Sequence, residues 1–120
     1  AMIAHCRRHS IPIVVAGAAG GQIDPTQVRI ADLTQTVQDP LLARVRTILR
    51  REYGFSREGK KKFGIPAVFS TEPLRYPTES CDADGGPSGL NCAGFGSSVC
   101  VTSVFGMAAA AHAIELILSG

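Results

Sequence analysis

A chain of 120 residues, 45% hydrophobic and 18% charged, is globular in composition and holds one domain at most, which is small for a complete nucleotide-using enzyme. The net charge of +2 excludes little by itself. No apolar run approaches the roughly 20 residues of a membrane span and no secretory leader opens the chain, so a soluble cytoplasmic protein with no membrane partner is expected, its four cysteines (Cys6, Cys81, Cys92, Cys100) reduced.

Residues 2–9 read as the end of a helix. "IPIVVAG" (11–17) is a short β-branched run bounded by Pro12 and glycines, the pattern of a buried parallel strand. A glycine-rich turn follows in "GAAGGQIDPTQ" (17–27). "QVRIADLTQ" (27–35) then alternates Val28, Ile30 and Leu33 with polar residues, which predicts a second strand. Asp39 as N-cap and Pro40 at the first helical position open a helix that places Leu41, Leu42, Val45, Ile48 and Leu49 on one face and stops at Gly54.

Eight of the twelve Lys and Arg residues fall in one stretch of this helix and the loop after it: Arg44, Arg46, Arg50, Arg51, Arg57, Lys60, Lys61 and Lys62. Such a block either engages phosphates or faces water. "AVFST" (67–71) is another short strand. Residues 72–97 concentrate Pro and Gly and predict a long irregular crossing segment. From Ser97 or Ser98 a buried helix with a hydroxyl cap is expected, with Ala108 to Ala111 allowing a close neighbour. About three strands and two and a half helices are few for a doubly wound sheet, which predicts that an N-terminal half is missing.

The "GAAGG" turn matches neither G-x-G-x-x-G nor a Walker pattern, so a tight turn is the better reading than a phosphate loop. Gln22, Asp24 and Thr26 are candidates for hydrogen bonds in a nearby pocket or for an alkali cation. His5 and His9 stand i, i+4 around Cys6 without a further ligand, and surface histidines are the better reading. His112 is read as a satisfied buried histidine and Cys100 as a buried hydrophobe. No short chelating cysteine pair supports a zinc site. In "GLNCAGFGSSVC" (89–100), Cys92 precedes two glycines and a helix start whose N–H groups and positive dipole end favour a thiolate. Those donors could also hold an oxyanion. A reactive and a structural Cys92 both stay open on these grounds.

"AHCRRHSIPIV", "GAAGGQIDPTQVRIADLTQTVQDPL", "VFSTEPLRYP" and "NCAGFGSSVCVTSVFGMAAAAHA" resemble the C-terminal half of HesA/MoeB/ThiF-family, ubiquitin-activating-like enzymes, in particular those acting on a threonylcarbamoyl group of tRNA. The resemblance runs over nearly the whole chain. It implies an α/β fold, the C-terminal portion of a Rossmann-like adenylating domain spanning 1–120, with the nucleotide-binding N-terminal half absent. It also implies Mg-ATP as cofactor, tRNA as partner, a homodimer, and activation of the threonylcarbamoyl carboxylate followed by cyclisation with loss of water. Cys92 falls on the family's active-site cysteine, although the run Cys92-Ala93-Gly94-Phe95-Gly96 is one small residue shorter than the family's. Cys81 matches an upstream family cysteine. Under this resemblance Arg50, Arg51, Lys60, Lys61 and Lys62 become tRNA-contact candidates, and the isolated chain is expected to lack adenylation. Alternatives from other classes are a non-catalytic tRNA-binding or dimerisation piece and a sulfur-transfer partner of a cysteine desulfurase.

Overall fold

The computed structural model describes residues 1–58, 61–74 and 97–119. Three strands, β1 (Val15–Ala16), β2 (Val28–Asp32) and β3 (Pro66–Ser70), form one sheet in the order β1-β3-β2. β3 lies in the middle, parallel to β1 and antiparallel to β2. Three α-helices, α1 (Met2–Arg8), α2 (Pro40–Glu52) and α3 (Val99–Ser119), and two 3-10 turns, Pro25–Gln27 and Leu33–Gln35, complete the described chain.

The period-2 geometry of β3 sorts its side chains onto two faces. Ala67 and Phe69 join Leu33, Leu42, Leu49, Phe55, Phe63 and Ile65 in a core that also takes Ala4 of α1. Val68 points the other way and packs with Ala19, Val101 and Phe105, so α3 covers the opposite face. The result is a helix–sheet–helix sandwich around a central strand whose Ala67 and Val68 are fully buried.

α2 begins as its sequence predicts. Asp39 accepts the Leu42 amide at 3.1 Å and Pro40 occupies the first turn. Tyr53 caps its end and Gly54 takes φ +72°, a conformation in which glycine avoids the penalty of a side chain. Ser98 Oγ accepts the Cys100 amide at 3.2 Å, the expected hydroxyl cap of α3.

Several expectations are corrected. Only two residues of 11–17 pair as a strand and Ile11 is exposed, because β1 has one neighbour among the described residues. The second strand ends at Asp32, since its side chain accepts the Thr34 amide and turns Leu33–Gln35 into a 3-10 helix. α3 is not a buried helix. Its apolar residues go all the way round and only Val101 and Phe105 are buried against the sheet, leaving Met107, Ile117 and Leu118 more than 70% exposed. Cys100 is accordingly exposed rather than a buried hydrophobe, and His112 is half-buried. Finally, α3 is 21 residues with a mean hydropathy of 1.7, which by length and composition alone is enough to cross a membrane. The run is longer than its interrupting small and polar residues suggested.

Candidate functional site

Because β1 and β3 run parallel, the loops leaving their carboxyl ends emerge side by side, the place where open α/β sheets gather ligands. Three sequence stretches meet there. Gln22 comes from the loop after β1, Gln38 stands before the Asp39 cap of α2, and Glu72 follows β3. Gln22 Nε2 donates to the carbonyl of Gln38 at 3.1 Å and to that of Glu72 at 3.0 Å. In return, Oε1 of Glu72 accepts the amides of Ile23 at 2.8 Å and Asp24 at 2.7 Å. Ser70 Oγ accepts the Glu72 amide at 3.1 Å.

Gln22, Ser70 and Glu72 are 1%, 0% and 3% exposed. A carboxylate out of water is tolerated only when its oxygens are well supplied with donors, which the two adjacent amides do for Glu72. Gln22 Oε1 is different: it is buried and has no hydrogen-bond partner among the described residues. A neutral carboxamide oxygen in that position suits a water or a hard cation. Asp24 and Thr26, the other cation candidates, are engaged in a local turn in which Asp24 Oδ1 accepts from the Thr26 amide and hydroxyl and Oδ2 accepts from Gln27 Nε2.

The glycine turn is closed by a carboxylate. Oδ2 of Asp39 accepts the Ala18 amide at 3.0 Å, and the missing side chain of Gly17 makes room for it. An amide that a phosphate would use is therefore given to an anion, which supports a tight turn and not a phosphate loop. A second anchor lies at the other end of the sheet. Asp32 accepts the amides of Phe63, Gly64 and Ile65 at 3.0, 2.7 and 3.1 Å and the Thr34 hydroxyl at 2.7 Å. Burial opposes its charge, but these hydrogen bonds outweigh burial and hold its carboxyl below the usual value.

The basic block divides. Arg46 turns inward and donates to the carbonyls of Leu33 and Thr36, both at 3.3 Å, so it is a structural cation; burial, then the nearby Arg50 charge, lowers its pKa, and it stays protonated at neutral pH. Arg44, Arg51, Arg57, Lys61 and Lys62 are exposed, and Arg51 pairs with Glu52 at 3.5 Å. Arg50 is half-buried, with Nε donating to the Ser56 carbonyl and its guanidinium over the Phe63 ring. Lys60, Cys81, Cys92 and residues 75–96 of the segment expected to cross over 72–97 lie outside the described residues. His5 and His9 are exposed with ring centroids 4.4 Å apart. Among the described residues no group of three or more His, Cys, Asp and Glu side chains is placed to hold a metal.

Sequence reasoning singled out Gln22 but gave Gln38, Glu72 and Asp32 no role. The signal was present: "GGQIDPTQ", "QDPL" and "FSTE" carry the resemblance, and Gln22, Gln38 and Glu72 come one from each.

No protein-family profile matches the chain. It is 49% identical over 120 residues to the tRNA threonylcarbamoyladenosine dehydratase of Haemophilus influenzae, covering 98% of this chain and 45% of that protein. This chain is homologous to tRNA threonylcarbamoyladenosine dehydratases. Two crystal structures of the Escherichia coli tRNA threonylcarbamoyladenosine dehydratase TcdA superpose on it. The complex with AMP has a TM-score of 0.82 and the complex with ATP 0.80, each at 42% identity and covering 98% of this chain. They cover 43% and 42% of those chains. The α/β fold is thus that of a ThiF/MoeB-like dehydratase, and the chain spans under half the length of the relatives it matches.

Proposed function

We propose that this chain is the C-terminal part of an ATP-dependent tRNA-modifying enzyme that activates the threonylcarbamoyl carboxylate on a tRNA adenosine and cyclises it with loss of water. The observation that supports the reading is the 49% identity over 120 residues to a dehydratase of that name, together with the TM-score of 0.82 to the AMP complex of another. The glycine turn, already filled by Asp39, does not fit ATP phosphates, so nucleotide contacts are assigned to residues beyond this chain. A monovalent cation fits the unpartnered Gln22 Oε1. The enzyme works in the cytoplasm as a homodimer.

Cys92 is the residue assigned to acyl transfer, because a thiolate is both a good nucleophile and a good leaving group. Its sulfur attacks the activated acyl carbon, expelling AMP, and the thioester then yields to ring closure with release of the thiolate. The test is Cys92→Ser in the full-length protein, assayed for the cyclised nucleoside. Loss of product by at least 100-fold is expected; unchanged turnover would reduce Cys92 to a packing residue.

A second reading, a piece that docks but does no chemistry, is favoured by the exposed apolar residues of α3. Full activity lost on Cys92→Ser with the assembly intact removes it.

A further inference from the structure

Basic side chains of α1 and α2, far apart in sequence, are brought onto one surface by the core beneath them. The guanidinium of Arg7 lies over the Phe55 ring at 4.3 Å from its centroid, Phe55 meets Phe63 edge to face at 4.9 Å, and Arg50 lies over Phe63 at 5.2 Å. Phe55 and Phe63 are buried, so two cations are held in place by a fixed aromatic pair. Beside this ladder a cleft of about 330 Å³ is lined by Arg7, Arg8, Tyr53 and Phe55. Tyr53 is 40% exposed and Arg7 and Arg8 face solvent. Among the described residues Arg7, Arg8 and Arg50 make no ion pair, and the acidic neighbours are Glu52, paired with Arg51, and the exposed Glu58.

A surface with unpaired guanidiniums around an open aromatic cleft matches an unpaired nucleic-acid strand. Phosphates take bidentate guanidinium donors, and splayed bases stack on tyrosine. A duplex offers no base to a cleft, and an acidic peptide has no use for the tyrosine face. We infer that the cleft between the end of α1 and the end of α2 binds a single-stranded segment of tRNA, with its phosphates on Arg7 and Arg8 and one unpaired base on Tyr53. This rests on the proposed function, which makes tRNA the substrate, and extends it to Arg7 and Arg8 outside the 44–62 block and to the aromatic ring of Tyr53.

The test is a salt series of tRNA affinity for the full-length protein, with heparin as a polyanion that has no bases. Tyr53→Ala is expected to weaken tRNA binding about 10-fold while leaving heparin binding unchanged, and Tyr53→Phe to retain tRNA affinity. Arg8→Gln, on an exposed position that does not disturb the aromatic ladder, is expected to reduce the slope of log affinity against log salt by about 1. Parent-like tRNA affinity in Tyr53→Ala, equal weakening toward heparin, or an unchanged slope in Arg8→Gln overturns the inference while the dehydratase reading stands. Failure of the unaltered protein to bind tRNA at low salt overturns both.

Discussion

A methyl group on Gly17 would collide with the carboxylate of Asp39, Oδ2 first. Asp39 cannot swing aside without loss, since its two oxygens accept the amides of Ala18 and Leu42 and tie the turn after β1 to the start of α2. Gly17→Ala should therefore destabilise the protein by about 2–3 kcal/mol through overpacking and a broken cap. Urea unfolding measures it. In an Asp39→Ala background the cost of Gly17→Ala should shrink, because the clashing group is gone; strictly additive losses would refute the link.

Glu72 fastens the loop after β1 by one oxygen to two consecutive amides. Removing the carboxylate with Glu72→Ala strands both donors and should cost about 2–4 kcal/mol, whereas Glu72→Gln, which keeps a carbonyl oxygen, should cost about half as much. Equal, negligible losses in both variants would mean that solvent replaces the carboxylate freely.

Asp32 links stability to acidity. Although burial pushes its pKa up, the Thr34, Phe63 and Gly64 hydrogen bonds bring it below the unfolded value of about 4. Its stabilising contribution is then complete above about pH 4 and disappears as pH falls through the lower folded value. Asp32→Asn should be less stable at neutral pH and show a shallower loss between pH 5 and about pH 2. Unfolding midpoints across that range, parallel in the two proteins, would contradict the assignment.

The unpartnered oxygen of Gln22 is the fourth handle. If a monovalent cation sits against it, melting in potassium or sodium chloride should exceed melting in choline chloride at equal ionic strength, by about 4 °C for each kcal/mol of binding. The difference should vanish in Gln22→Leu. A difference that persists in that variant assigns the ion elsewhere.

Local rules carried much of the fold. The Asp39-Pro40 start and Gly54 stop of α2 and the hydroxyl cap of α3 follow from interactions within a few residues, which a linear sequence displays. The length of β2 was overestimated for a similarly local reason: Asp32 competes with the sheet for the backbone and also gathers three amides from residues 63–65, a partnership no pattern over 27–35 reveals.

Sequence by itself determined which residue types stood out, through its glycines, a cysteine among glycines and the stretches that carry the family resemblance. Only the tertiary structure decided which of them meet. Gln22 and Glu72 are hydrogen-bonded across 50 positions of chain, and Arg7 reaches Phe55 in the loop after α2, because the parallel pairing of β1 with β3 and the core under α1 and α2 close those separations. It likewise decided the exposure of α3: hydrophobicity is a property of residues, whereas burial needs a second surface to cover them.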